Sequence, residues 1–121
     1  MPHLIVDYSA NLPEPELQLD SLLDNLVHTA IGTGLFPESG MRARAIRCDH
    51  YRVGNGDPDN GFINVSMRVG AGRDLADLQS AGEQIFETLK QHTAALMQRQ
   101  KVALSCEMRE LAPVKFNFKN L

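Results

Sequence analysis

The sequence predicts an α/β (α+β) fold in which two consecutive β-α-β units form one four-stranded sheet with two helices on one face. Three observations predict it. A run of β-formers, Leu4 to Tyr8, starts almost at the N-terminus, two segments carry apolar residues at helical spacing, and an alternating segment follows each of them. The dense turn signal Asn55-Gly56-Asp57-Pro58-Asp59-Asn60-Gly61 separates the units, giving pseudo-repeat halves of about 1–56 and 57–121 that share little sequence. A length of 121 residues suits a single domain, 1–121, with one modest core.

The first strand, Leu4-Ile5-Val6-Asp7-Tyr8, fixes Pro2 beside the sheet. A turn-like stretch with Pro13 and Pro15 follows, and Asp20 is the expected N-cap of a helix whose stripe is Leu22, Leu23, Leu26, Val27, Ala30 and Ile31. Gly32, Gly34 and Pro37 end that helix. Met41 to Val53 alternates as a second strand. From Phe62 to Val69, Ile63, Val65, Met67 and Val69 share one face while Asn64, Ser66 and Arg68 share the other. Gly70-Ala71-Gly72-Arg73 turns the chain into a second helix, running to about Gln100, with Leu75, Leu78, Ile85, Phe86, Leu89, Leu96 and Met97 as its stripe. Val102, Leu104, Cys106 and Met108 alternate in a fourth strand before Pro113 and an aromatic-basic tail, Lys115-Phe116-Asn117-Phe118-Lys119. Right-handed crossovers put both helices on one face. The other face, carrying Ile63, Val65 and Met67 or their opposites, is expected to pack against further subunits. A split arrangement of the ferredoxin type has the same order of elements, and periodicity does not separate the two.

Composition narrows the function. With 43% apolar and 22% charged residues, the chain is that of an ordinary globular protein. A net charge of −3 with scattered basic residues lacks the footprint of a nucleic-acid binder, so no nucleic-acid partner is expected. There is no signal-peptide pattern and no apolar run near the roughly 20 residues of a membrane span, so a soluble cytoplasmic protein with no membrane contact is expected. Cys48 and Cys106 are too few for a disulfide framework and read as small core residues. His3, His28, His50 and His92 form no pair at metal-ligand spacing, so neither a metal nor another cofactor is assigned.

Three residues carry the candidate chemistry. Proline after the initiator methionine permits removal of Met1, which leaves a secondary amine that titrates closer to neutrality than lysine. Burial and nearby cations lower it further and make it a base poised near working pH. Arg42 and Arg73 both sit at element ends, and a guanidinium fork matches a carboxylate, so the pair suits an anionic small molecule. Gly70-Ala71-Gly72-Arg73 lacks the spacing of a phosphate-binding motif and reads as a plain strand-to-helix turn.

Several segments together resemble a known family: Met1-Pro2-His3-Leu4-Ile5-Val6, Thr33-Gly34-Leu35-Phe36-Pro37 with Gly40-Met41-Arg42-Ala43-Arg44, Val69-Gly70-Ala71-Gly72-Arg73, and Ala94-Ala95-Leu96-Met97 with Ala103-Leu104-Ser105. In order and over nearly the whole length they are similar to the 5-carboxymethyl-2-hydroxymuconate isomerases of the tautomerase superfamily. The resemblance implies a tautomerase-like fold with strand order 2-1-3-4, a homotrimer, and Pro2 as the catalytic base. Arg42 and Arg73 match the arginines expected to hold the carboxylates of a small polycarboxylate substrate, with Arg44 a weaker, structural neighbour. The implied reaction is cofactor-free conversion of 5-carboxymethyl-2-hydroxymuconate to its 2-oxo isomer, in homoprotocatechuate breakdown. Two other readings share the same residues: another oxo-acid enol–keto tautomerase of the superfamily, and a non-catalytic trimeric protein that binds a small acid. The chain departs from the pattern at Asn11 to Leu19, which carries one extra residue, and at a shorter C-terminal end.

Overall fold

The computed structural model describes residues 1–121. Strand β1 (His3–Ser9) leads through a one-turn helix α1 (Glu14–Leu17) into helix α2 (Leu19–Gly32) and, after a 3-10 turn at Glu38–Gly40, strand β2 (Arg42–Cys48). The second unit is strand β3 (Asn60–Val69), helix α3 (Leu75–Met97) and strand β4 (Lys101–Glu110). The strands form one sheet in the order β2-β1-β3-β4. Both outer pairs are parallel and the central β1–β3 pair is antiparallel, with Val6 opposite Val65.

Alternation along the strands selects the buried face. Leu4, Val6 and Tyr8 of β1 and Ile63, Val65, Met67 and Val69 of β3 join Leu22, Leu26 and Ala30 of α2 and Leu78, Ala81, Ile85, Leu89 and Leu96 of α3 in one core. Ile63, Val65 and Met67 thus lie under the helices, and the opposite set forms the open face. The register lines up His3, Arg42, Arg68 and Arg109 there, then Ile5, Arg44, Ser66 and Glu107, then Asp7, Ile46, Asn64 and Ser105, with Ile46 an exposed apolar residue among them. Ser105 Oγ donates to Asn64 Oδ1 at 2.7 Å, and Asn64 Nδ2 donates to Ser66 Oγ at 3.2 Å, so this face is a polar ladder. No helix is long and apolar enough to cross a membrane.

The element boundaries differ from expectation in ways that have physical causes. β2 stops at Cys48 rather than Val53 because its only partner, β1, ends at Ser9, the residue opposite Cys48. Beyond it, Tyr51 instead meets the Phe62 ring edge-on, with centroids 6.4 Å apart. The Pro13–Pro15 stretch contains α1, since proline in a first turn has no N–H bond to lose. The Tyr8 hydroxyl holds this turn to the sheet by donating to Glu14 Oε1 at 2.7 Å. Burial and that hydrogen bond push the Tyr8 phenol up to about 12. Gln18, in the left-handed region at φ 48°, separates α1 from α2 and takes the N-cap place assigned to Asp20, which lies inside the first turn.

Gly61 lies at a tight contact between the two units. A Cβ there would stand 2.7 Å from Leu12 Cδ2 and 3.0 Å from Ser9 Oγ, and Leu12 is fully enclosed. Because Ser9 Oγ also accepts the Phe62 N–H at 2.9 Å, it has little freedom to retreat. Gly61→Ala is expected to lower stability by about 1–3 kcal/mol through overpacking, measured as a lower urea midpoint at unchanged slope.

Candidate active site

Pro2 is buried at the entry to β1, and its carbonyl accepts the Arg42 N–H at 3.2 Å. Parallel pairing brings the starts of β1 and β2 side by side, with His3 opposite Arg42. The turn before β2 closes against the proline: Gly40 is buried, and a Cβ on it would lie 3.4 Å from Pro2 Cδ. The ends of β3 and β4 reach the same edge of the sheet, since Arg68 lies opposite both His3 and Arg109.

Arg73 enters from the loop before α3 and is held firmly. Its Nη1 donates to the Gly70 carbonyl at 2.9 Å and its Nη2 to the Leu35 carbonyl at 3.1 Å. The guanidinium carbon sits 5.2 Å from the centre of the buried Phe36 ring. Two of its five N–H donors are therefore used within the chain, and the others are open to a ligand. Arg42 is half-buried and makes a long contact, Nη1 to the Gly40 carbonyl at 3.4 Å. Neither arginine has a carboxylate partner, for the ion pairs of the chain involve Arg47, Lys90, Arg99 and Lys101.

The terminal amine lies among these cations. Its pKa is held below the ordinary value by burial first and then by the positive charges of Lys115, Arg42, Arg73 and Lys119. Met1 precedes Pro2, so this amine stands one residue, about 3.8 Å of chain, ahead of the proline nitrogen. An amine so placed gives up its proton more readily than an ordinary chain terminus, and the same cations attract an anion toward it. Geometry therefore groups Pro2, Arg42 and Arg73 at one edge of the sheet.

The neighbouring groups have other roles. Arg44 is exposed on the open face and its Nη1 donates to His3 Nδ1 at 3.2 Å, which requires the ring proton to be on Nε2. Burial and then the charges of Arg44, Arg42 and Arg68 lower the His3 pKa, so the ring is neutral at pH 7. The His28 ring lies 2.7 Å from the Asp24 carbonyl and the His92 ring 2.7 Å from the Leu17 carbonyl, both in structural contacts. Burial, with Glu107 adding to it, raises the Cys106 thiol to about 11, which makes it a poor nucleophile near neutrality.

Sequence reasoning missed Phe36 as the shelf for Arg73, and it noted Lys115 and Lys119 only as parts of a basic tail. Their alternation with Val114, Phe116 and Phe118 was the available signal; their return to the N-terminus was not visible. None of the clefts of the single chain is lined by Pro2: two lie between α2 and α3 at Asn25 and His92 and between α3 and β4 at Phe86 and Met108, and another, at Arg68, Arg109 and Leu111, shares its end of the sheet.

Residues 2–121 match the family model described as 5-carboxymethyl-2-hydroxymuconate isomerase. The chain is 41% identical over 119 residues to a 5-carboxymethyl-2-hydroxymuconate Delta-isomerase from Escherichia coli, covering 98% of this chain and 93% of that one. A solved 5-carboxymethyl-2-hydroxymuconate isomerase from Deinococcus radiodurans R1 superposes with a TM-score of 0.89 at 32% identity, covering 99% of this chain and 90% of the other. The fold extends to a fused 4-OT symmetric trimer at a TM-score of 0.68 and 16% identity, covering 97% and 93% of the two chains.

Proposed function

The chain belongs to the 5-carboxymethyl-2-hydroxymuconate isomerase family and is an isomerase of tautomerase fold, and from that premise we propose that it converts 5-carboxymethyl-2-hydroxymuconate to its 2-oxo isomer with Pro2 as acid and base. The observation that carries this reading is the grouping of the chain start with two arginines that have no carboxylate partner. Once Met1 is removed, the secondary amine of Pro2 is the base. In its neutral form it takes the proton of the 2-hydroxyl; the O–H pair becomes the C2=O double bond and the C2=C3 pair shifts to C3=C4. The displaced C4=C5 pair then takes a proton at C5 from the prolinium, so the base is regenerated and the atoms balance. Arg42 and Arg73 grip carboxylates and stabilise the negative charge that grows at the oxo-acid end. Such a reaction has its place after an oxidative ring opening, as in homoprotocatechuate breakdown.

The working unit in this proposal is a homotrimer. One feature supports it: a polar sheet face with Arg42, Arg44, Arg68 and Arg109 set against Glu107 and Asp7 across one surface that no element of the chain covers. The test joins intact mass, light scattering and an ultraviolet assay on one sample. The expected result is a chain that begins at Pro2, a particle of three chain masses, and loss of the dienol absorbance with the tricarboxylate. A Met1-free protein that leaves the dienol untouched overturns the proposed activity, and a monomer at micromolar concentration overturns the trimer.

A further inference from the structure

The C-terminal segment after β4 has no assigned role, yet its path is defined at both ends. At its start the Leu111 N–H donates to the Val69 carbonyl at 2.7 Å, which keeps it at the end of β3 and β4. Near its finish Lys119 Nζ donates to Ser39 Oγ at 3.0 Å, in the turn whose Gly40 packs on Pro2. In the order β2-β1-β3-β4 these anchors lie on opposite sides of β1. The strand spacing makes β4 to β2 a crossing of about 14 Å, short for the intervening residues of an extended chain. Lys115 falls midway between these anchors, and the charges of both Lys115 and Lys119 reach the terminal amine, which sets the tail along the end of the sheet where Pro2 stands. Val114, Phe116 and Phe118 are 77%, 93% and 94% exposed, and Lys115 and Lys119, which alternate with them, are exposed as well.

We propose that Lys115 is a third anion-holding position of the Pro2 site, which takes the carboxylate on the carboxymethyl arm of the substrate. This rests on the activity proposed above. A tricarboxylate presents one anion more than the forks of Arg42 and Arg73 hold, and a flexible ammonium suits the carboxylate on a saturated arm. Lys115 has no ion-pair or hydrogen-bond partner within the chain, so its ammonium is free for a ligand. Its charge also acts on the terminal amine more strongly than either arginine does, which agrees with a position over that end of the sheet.

The test compares the wild-type enzyme with Lys115→Met and Lys115→Arg on the tricarboxylate dienol and on 2-hydroxymuconate, which lacks the carboxymethyl arm. Because the side chain is exposed and carries no contact, neither substitution threatens folding. Loss of one charge-assisted contact is expected to lower kcat/KM of Lys115→Met on the tricarboxylate by about 10- to 100-fold, chiefly through KM. Read on the pH plateau above the amine's pKa, where loss of the Lys115 charge no longer changes how much of the amine is neutral, the dicarboxylate should fall far less than the tricarboxylate, and Lys115→Arg should recover most of the loss. An unchanged Lys115→Met on the tricarboxylate, or an equal fall on both substrates, overturns the inference while leaving the proposed activity standing. A wild type inactive on the tricarboxylate overturns that activity instead.

Discussion

Retention of Met1, or an acetyl cap on the Pro2 nitrogen, is expected to lower kcat for dienol ketonisation by about 10²- to 10⁴-fold, the usual share of a positioned acid–base group. An extra residue turns the Pro2 nitrogen into an amide with no basic lone pair and moves the amine one residue outward. Burial and the surrounding cations lower the pKa of the Met1 amine below its ordinary value, and once Met1 is gone the same cations act on the Pro2 amine one residue inward. The neutral form is the active one in the first proton transfer. Activity should therefore rise with pH through the amine's pKa and level off above it, with that midpoint below the usual range of a free terminus. Steady-state rates across pH on the processed and Met1-retaining proteins, each confirmed by mass, read both effects. Equal kcat in the two proteins would remove Pro2 from the mechanism.

The second large effect is expected at the arginines, and the structure separates them. Replacing either Arg42 or Arg73 with alanine should lower kcat/KM on the tricarboxylate by about 10- to 150-fold, the loss of one charge-assisted contact. Arg73→Lys should rescue poorly, because one ammonium cannot span the Gly70 and Leu35 carbonyls, lie over Phe36 and still present a fork. Arg42→Lys should recover more activity, since Arg42 has only the 3.4 Å contact to Gly40 to lose. A KM effect alone would assign the arginines to ground-state binding, and a fall in kcat would place their contacts in the transition state. Wild-type kinetics in both alanine variants would mean that the anion site lies elsewhere. Thermal melts of the same proteins should show a lower midpoint for Arg73→Ala than for Arg42→Ala, because two carbonyls lose their donors.

Local pattern was enough to place most elements. Alternation from Ile63 to Val69 identified the core face of β3 correctly because side chains two apart in a strand must share a face. The stripe Leu22, Leu26 and Ala30 identified the buried side of α2 for the corresponding reason at helical spacing. A proline directly before a β-forming run, followed by arginines at element ends, marked the candidate site residues by chemical type. Boundaries were less legible where a partner decided them, as at Cys48, where β2 ends because β1 has nothing further to pair with.

What the sequence by itself determined is thus the order and facing of the elements and the kind of groups available for chemistry. Its periodicity left two sheet orders open, because it reports neighbours within about one helical turn or one pleat. The family resemblance implied the order 2-1-3-4, which the structure bears out, and the tertiary structure added the register, with β1 parallel to β2 and antiparallel to β3 through hydrogen bonds between segments tens of residues apart. That pairing sets Arg42 beside Pro2, and the packing of the loops brings in the charge of Arg73. The return of Lys115 and Lys119 to the same edge depends on it as well, because the tail crosses there only when β4 and β2 stand on opposite sides of the central pair.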